Sequence, residues 1–66
     1  MRLRINGEVR DLENVATIRD IVRLFNLDQR IIIVEHNQVI IDRESYDDTI
    51  VSEDDQIEIV HFVGGG

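Results

Sequence analysis

The chain has 66 residues, 42% of them hydrophobic and 32% charged, which indicates one small globular domain and excludes a two-domain enzyme with an enclosed cleft. It contains no cysteine, which excludes disulfides and thiolate metal sites, and no apolar run of the roughly 20 residues that a membrane helix needs. A cytoplasmic location is the default expectation. With 14 acidic against 7 basic side chains the net charge is −7, so we expect binding to neither nucleic acid nor an anionic membrane.

The first part of the chain predicts a hairpin and then a helix. Apolar and polar residues alternate from Met1 to Asn6, as in a half-buried strand. Asn6-Gly7 then favours a type I′ hairpin turn, because both central residues of that turn need positive φ. Thr17 is the predicted N-cap, with its hydroxyl accepting from the backbone N–H of Asp20. A helix of about three turns follows, since an apolar stripe recurs at helical spacing: Ile18, Ile21, Val22 and Phe25.

The second part predicts short strands joined by polar turns. The expected elements are a strand over 31–34, a turn over 35–38, a short strand over 39–41, one helical turn within 42–48 and a last strand over 56–63. Eight acidic side chains lie between Asp42 and Glu58, and we expect them to form a solvated face. Tyr46, within this segment, is expected to be a partly buried cover on the core.

This order of elements predicts an α+β fold, with a mixed sheet of four to five strands and one helix packed on one face. A split βαββ arrangement of the ferredoxin type is the alternative. It needs a second full-length helix, which residues 42–48 are too short and too polar to supply. We therefore expect a single domain over residues 1–63 and a flexible glycine tail over residues 64–66.

No group of side chains predicts catalysis or metal binding by the chain itself. His36 and His61 lack the spacing of a metal motif, and His36 is interpreted as a turn residue. The acidic side chains lack the ligand spacing of a calcium loop, and the chain has no lysine for a Schiff base. We expect no catalytic residues, no metal site and no cofactor bound by the chain.

The chain ends in Gly64, Gly65 and Gly66. Glycine lacks a Cβ, so a terminal glycine run is a thin arm that allows close approach of another backbone. The arm ends in a carboxylate, which is the one electrophile precursor that the sequence offers.

Several segments together resemble the ThiS family of sulfur carriers from thiamin biosynthesis, which have the ubiquitin-like β-grasp fold. The resemblance covers the whole chain, and its most specific elements are Asn6-Gly7, Ile33-Val34-Glu35 with the Asn37 turn, and Ile57-x-Ile59-Val60-x-Phe62-Val63 before the glycines. The third glycine, Gly64, departs from the family pattern and leaves Gly65-Gly66 in place.

The resemblance implies that the Gly66 carboxylate is adenylated by a ThiF-type enzyme that uses ATP. Sulfur from a protein-bound persulfide then displaces AMP and leaves a thiocarboxylate, which is passed to a ThiG-type thiazole synthase. Gly64 and Gly65 thread the terminus into the active sites of these partners. On this resemblance we expect a carrier that is not itself an enzyme.

Three other readings stay open. The small subunit of molybdopterin synthase, also a sulfur carrier, ends in Gly-Gly as well. A ubiquitin-like modifier joins its terminus to lysines of other proteins. A plain binding module with an accidental glycine tail is the third reading.

Strand alternation also predicts a partner-binding patch. If Ile57 and Ile59 point into the core, then Val60 and Phe62 point outward. The same alternation on the preceding long strand turns Ile33 outward. A contiguous exposed apolar patch of Ile33, Val60 and Phe62 beside the tail is typical of a binding site.

Overall fold

The computed structural model describes residues 1–62 and, within them, five strands, one α-helix and one 3-10 turn. In chain order these are β1 (Arg2–Ile5), β2 (Glu8–Asp11), α1 (Ile18–Leu24), β3 (Ile32–His36), β4 (Val39–Ile41), the 3-10 turn Arg43–Ser45 and β5 (Gln56–His61). Residues 63–66, which include the predicted glycine tail, lie outside the described residues.

The strands form one mixed sheet in the order β2-β1-β5-β3-β4. The central strand β5 runs parallel to β1, with Ile5 beside Ile57, and antiparallel to β3, with Val34 beside Ile59. This sheet and its single helix confirm the predicted α+β class. They also exclude the ferredoxin-type alternative, because the segment that would supply a second helix forms only the turn Arg43–Ser45.

Helix α1 begins at the predicted cap. The Thr17 hydroxyl accepts from the N–H of Asp20 (3.3 Å), and the Asp20 carboxylate accepts from the N–H groups of Thr17 (3.0 Å) and Ala16 (2.8 Å). These hydrogen bonds satisfy N–H groups that the helix itself leaves unpaired, and they lower the pKa of Asp20. The helix has two turns rather than about three, because it ends at Leu24 and Asn26 adopts a left-handed φ of 59°.

The core lies between α1 and one face of the sheet. Its buried side chains are Leu3, Ile5, Ile18, Ile21, Val22, Val34, Tyr46, Val51, Ile57 and Ile59. Phe25, the last member of the predicted stripe, packs against this cluster from just beyond the helix. Tyr46, predicted to be only partly buried, is 2% exposed and belongs to the core itself.

Strand β3 is longer than predicted and ends at His36 rather than Val34. Glu35 pairs with Glu58 and His36 with Ile57, so the ladder to β5 continues past the apolar run. Glu35 is tolerated there because it lies on the face that is open to solvent, whereas His36 points to the opposite face, where its side chain is 18% exposed and contacts Asp55. Only Asn37 and Gln38 form the turn, both with positive φ.

Two further predictions were wrong at Asp55 and His36. The Asp55 side chain is only 16% exposed, although its acidic neighbours suggested a solvated face. His36 Nε2 lies 2.7 Å from Asp55 Oδ2, so His36 is a strand residue that contacts the acidic segment rather than a turn residue. Asp55 also accepts from the Ser52 N–H (2.8 Å) and from the Asn37 amide (3.1 Å). This network joins the turn before β5 to the turn between β3 and β4.

Candidate functional site

The three side chains of the predicted patch lie together on the sheet face opposite α1. Ile33 is 39% exposed, Val60 is 51% exposed and Phe62 is 50% exposed. Ile33 and Val60 are directly opposite each other in the antiparallel ladder, where facing Cβ atoms are about 5 Å apart. The alternation that predicted their outward orientation is confirmed, since Ile57 and Ile59 are buried on the other face.

The chain keeps its place against β3 beyond the end of β5. The N–H of Phe62 donates to the carbonyl oxygen of Ile31 (3.0 Å), one step past the last paired residue, His61. Phe62 therefore follows Val60 by two residues along an extended segment that β3 still holds. Phe62, the last residue of the patch, thus stands four positions before Gly66.

The sequence interpretation missed two neighbours of this patch. Ile40 on β4 is 64% exposed and stands opposite Glu35, and Ile31 is 74% exposed. Strand alternation over 39–41 could have predicted that Ile40 points outward, because its neighbour Ile41 packs against the core. We call these five residues the outer apolar surface: Ile31, Ile33, Ile40, Val60 and Phe62.

Two carboxylates lie inside the same face. Glu35 of β3 and Glu58 of β5 are directly opposite each other, next to the Ile33–Val60 pair. Like charges facing across a ladder are unfavourable. The face therefore combines exposed apolar area with negative charge.

On the other side of β5, where α1 lies, a groove of about 390 Å³ lies beside the last residues of the strand. It is lined by Ile5, Asn6, Glu8, Arg10, Phe25, Leu27, Ile59 and His61. The Arg10 guanidinium lies 5.6 Å from the centre of the Phe25 ring and pairs with Glu8 at 3.1 Å. The groove thus places one arginine and one histidine beside the end of β5.

The two histidines do not share a site. His36 pairs with Ile57 and His61 with Ile32, so they stand at opposite ends of the β3–β5 ladder. Four residue steps separate them, a distance of about 13 Å along the strands. Over residues 1–62 no three His, Cys, Asp or Glu side chains come together as a metal site, and no helix there is long and apolar enough to cross a membrane.

The predicted sulfur-carrying end is a separate case. Gly64, Gly65 and Gly66 lie outside the described residues, so their roles stay predictions. The described part of the site is the strand that leads to them, with the outer apolar surface on one side and the groove on the other.

Comparison with known proteins places this arrangement in a family. Residues 3–66 match the model of the ThiS family. The sulfur carrier protein ThiS of Bacillus subtilis is 43% identical over 65 residues, which cover 97% of this chain and 98% of that protein. The crystal structure of the thiamine biosynthesis protein ThiS from Geobacter metallireducens is 28% identical, with a TM-score of 0.83 and all of both chains covered. A thiazole synthase of Magnetococcus marinus is 35% identical over 66 residues, which span all of this chain but only 20% of that protein.

A small mixed sheet with one covering helix and a C-terminal central strand is the architecture of the ubiquitin-like β-grasp carriers. The chain belongs to the ThiS family of sulfur carrier proteins.

Proposed function

We propose that the chain carries sulfur on its C-terminal carboxylate, as a thiocarboxylate of Gly66, for thiazole formation in thiamin biosynthesis. The observation that carries the proposal is the match to the ThiS family, which extends to residue 66 and so includes the three glycines. The relative from Bacillus subtilis, called a sulfur carrier protein, supports it along nearly the whole chain.

The chemistry follows from the poor reactivity of a carboxylate. In the proposed reaction a carboxylate oxygen of Gly66 attacks the α-phosphorus of ATP and pyrophosphate leaves, which gives an acyl adenylate. The terminal sulfur of a persulfide then attacks the acyl carbon and expels AMP. A thiol attacks the remaining sulfur–sulfur bond, forms a disulfide with the donor and releases the thiocarboxylate.

Three partners follow from this scheme: a ThiF-type adenylating enzyme, a sulfur donor protein and a ThiG-type thiazole synthase. ATP is the substrate of the adenylating enzyme, and the carrier needs no cofactor of its own. Two relatives called thiazole synthase support this last partner. Each contains, within one longer polypeptide, a segment that matches this whole chain and makes up 20% of that protein's length. A reducing compartment preserves thiols and persulfides, so we propose a cytoplasmic location.

We propose that the outer apolar surface docks the adenylating enzyme while the glycines enter its active site. Burial of one large apolar side chain at an interface contributes about 1.5–3 kcal/mol. Ile33, Val60 and Phe62 would therefore supply a substantial part of the free energy of binding to the adenylating enzyme. Gly64 and Gly65 lack side chains that would block a narrow channel.

The test is the intact mass of the protein after incubation with ATP, the cognate adenylating enzyme and a sulfur source. We expect exchange of one terminal oxygen for sulfur, with ATP required. Conjugates to lysines of other proteins would instead identify a protein modifier. An unchanged mass, together with unchanged partner binding by a variant that lacks Gly66, would indicate a plain binding module.

A further inference from the structure

Asn6 ties the hairpin turn to the last strand. Its backbone N–H donates to the carbonyl oxygen of Ile57 (2.9 Å). Its side-chain oxygen accepts from the N–H of Ile59 (2.7 Å), and its side-chain nitrogen donates to the carbonyl oxygen of Ile59 (3.3 Å). One amide side chain therefore makes the pair of hydrogen bonds that a neighbouring strand would make.

The geometry explains why a side chain is needed here. Strand β1 ends at Ile5, and Asn6 adopts a φ of 50° that turns the backbone away from β5 towards β2. Beyond this point β1 supplies no paired backbone to β5. The Asn6 amide extends the hydrogen bonding by one step, to Ile59. The next residue, Val60, belongs to the outer apolar surface.

We propose that Asn6 is a positioning residue for docking of the C-terminal end. It holds the end of β5 between two supports, the Asn6 amide and β3, so that Val60 and Phe62 are ordered before the adenylating enzyme arrives. This inference rests on the proposed carrier function. Ordering a backbone residue at the moment of binding weakens affinity by about tenfold, and an interface that is already ordered avoids this loss.

Asn37 provides a matched control, because its side chain contacts the opposite end of β5. It also lies in a hairpin turn with a left-handed φ, of 49°. Its side-chain oxygen accepts from the N–H of Gln56 (2.9 Å), the first residue of β5. Glycine at either position tolerates the positive φ while it removes the amide side chain.

The experiment compares Asn6→Gly with Asn37→Gly in ATP-dependent adenylation by the cognate enzyme, followed by pyrophosphate release. We expect Asn6→Gly to raise KM for the carrier about tenfold with kcat unchanged, since an interaction that acts on docking alone appears in KM. Asn37→Gly should leave KM unchanged, although both variants lower the melting temperature. Because the carrier is the substrate, a purely structural role would lower the concentration of folded carrier and raise apparent KM for both variants alike, so KM is calculated from the folded concentration that a melt gives at the assay temperature.

A second variant covers the case in which Asn6→Gly does not fold. Asn6→Asp keeps an acceptor for the Ile59 N–H and loses the donor to the Ile59 carbonyl, so a smaller rise in KM is expected. A wild-type KM in every folded Asn6 variant would overturn the inference, as would an equal rise in Asn37→Gly. If wild-type protein is not adenylated at all, it is the carrier function that fails.

Discussion

At the scale of single residues, the Asp55 carboxylate links three other residues at the end of the sheet where β5 begins. It accepts hydrogen bonds from Ser52 and Asn37 and lies 2.7 Å from His36 Nε2. Burial alone would raise the pKa of Asp55, but the hydrogen bonds with His36, Ser52 and Asn37 outweigh it and leave the pKa lowered. Because the folded pKa is below the unfolded one, the ionised side chain stabilises the fold.

This gives the first prediction, on the pH dependence of stability. The contribution of Asp55 should be complete above its unfolded pKa of about 4 and lost as the pH falls through the lower folded pKa. Asp55→Asn should cost about 2 kcal/mol at neutral pH, the order of a charged hydrogen bond, and flatten the acid limb. Urea unfolding between neutral and acid pH measures both effects. The exposed substitution Asp48→Asn is the control, and an acid limb for Asp55→Asn as steep as that of wild type would contradict the prediction.

At the scale of elements, α1 depends on its cap because it has only seven residues. So short a helix is not stable by itself, and the packing of Ile18, Ile21 and Val22 against the sheet supplies most of its stability. The Thr17 hydroxyl and the Asp20 carboxylate complete the N-terminal hydrogen bonds.

The second prediction concerns this cap. Thr17→Ala should destabilise the protein by about 1 kcal/mol, the usual loss for an N-cap side chain. Thr17→Ser keeps the hydroxyl and should behave almost as wild type. Thermal melts of the three proteins decide the matter, and equal losses for both variants would show that the methyl group rather than the hydroxyl is important.

Strand β5 and the residue after it give the third prediction, because one face belongs to the core and we propose that the other docks the adenylating enzyme. Ile59→Asp should unfold the domain, since it places an unpaired charge in the core. Phe62→Asp should leave the melting temperature nearly unchanged and weaken binding to the adenylating enzyme at least tenfold, because it removes an exposed ring of the outer apolar surface. Melts and a binding titration on both variants test the assignment. A Phe62→Asp protein that melts as early as Ile59→Asp would reverse it.

At the scale of the whole molecule, stability and function are assigned to different parts of the chain. The hydrophobic core lies between α1 and the sheet, whereas the proposed chemistry takes place on the last three residues. In the proposed scheme the carrier needs only to be folded, to be recognised and to present its terminus, because its partners would supply the reacting groups.

The fourth prediction tests this separation. Gly65→Ala and Gly66→Ala should abolish thiocarboxylate formation because a methyl group blocks the proposed channel, and they should not alter the melting temperature. Mass spectrometry after the coupled reaction and a thermal melt provide the two measurements. Turnover comparable to wild type would rule out a narrow channel, and a lowered melting temperature would show that the tail contributes to the fold.

The sequence by itself determined the features whose causes are local. Asn6 and Gly7 have the positive φ that a type I′ turn requires, and the Thr17 cap closes within four residues. Strand alternation was sufficient to turn Val60 and Phe62 outward, because the period of two holds wherever the strand lies in the sheet. Asn6-Gly7, the Ile33-Val34-Glu35 segment with its Asn37 turn and the ending before the glycines were together enough to indicate the family.

Only the tertiary structure decided which distant segments meet. The amide of Asn6 and the backbone of Ile59 are 53 positions apart, and His36 and Asp55 are 19 apart. Strand β3 was predicted too short because polar Glu35 and His36 follow its apolar run, and their pairing depends on β5 lying beside them. A local pattern encodes the conformation of its own residues, whereas contacts between segments arise from the packing of the sheet and helix as a whole.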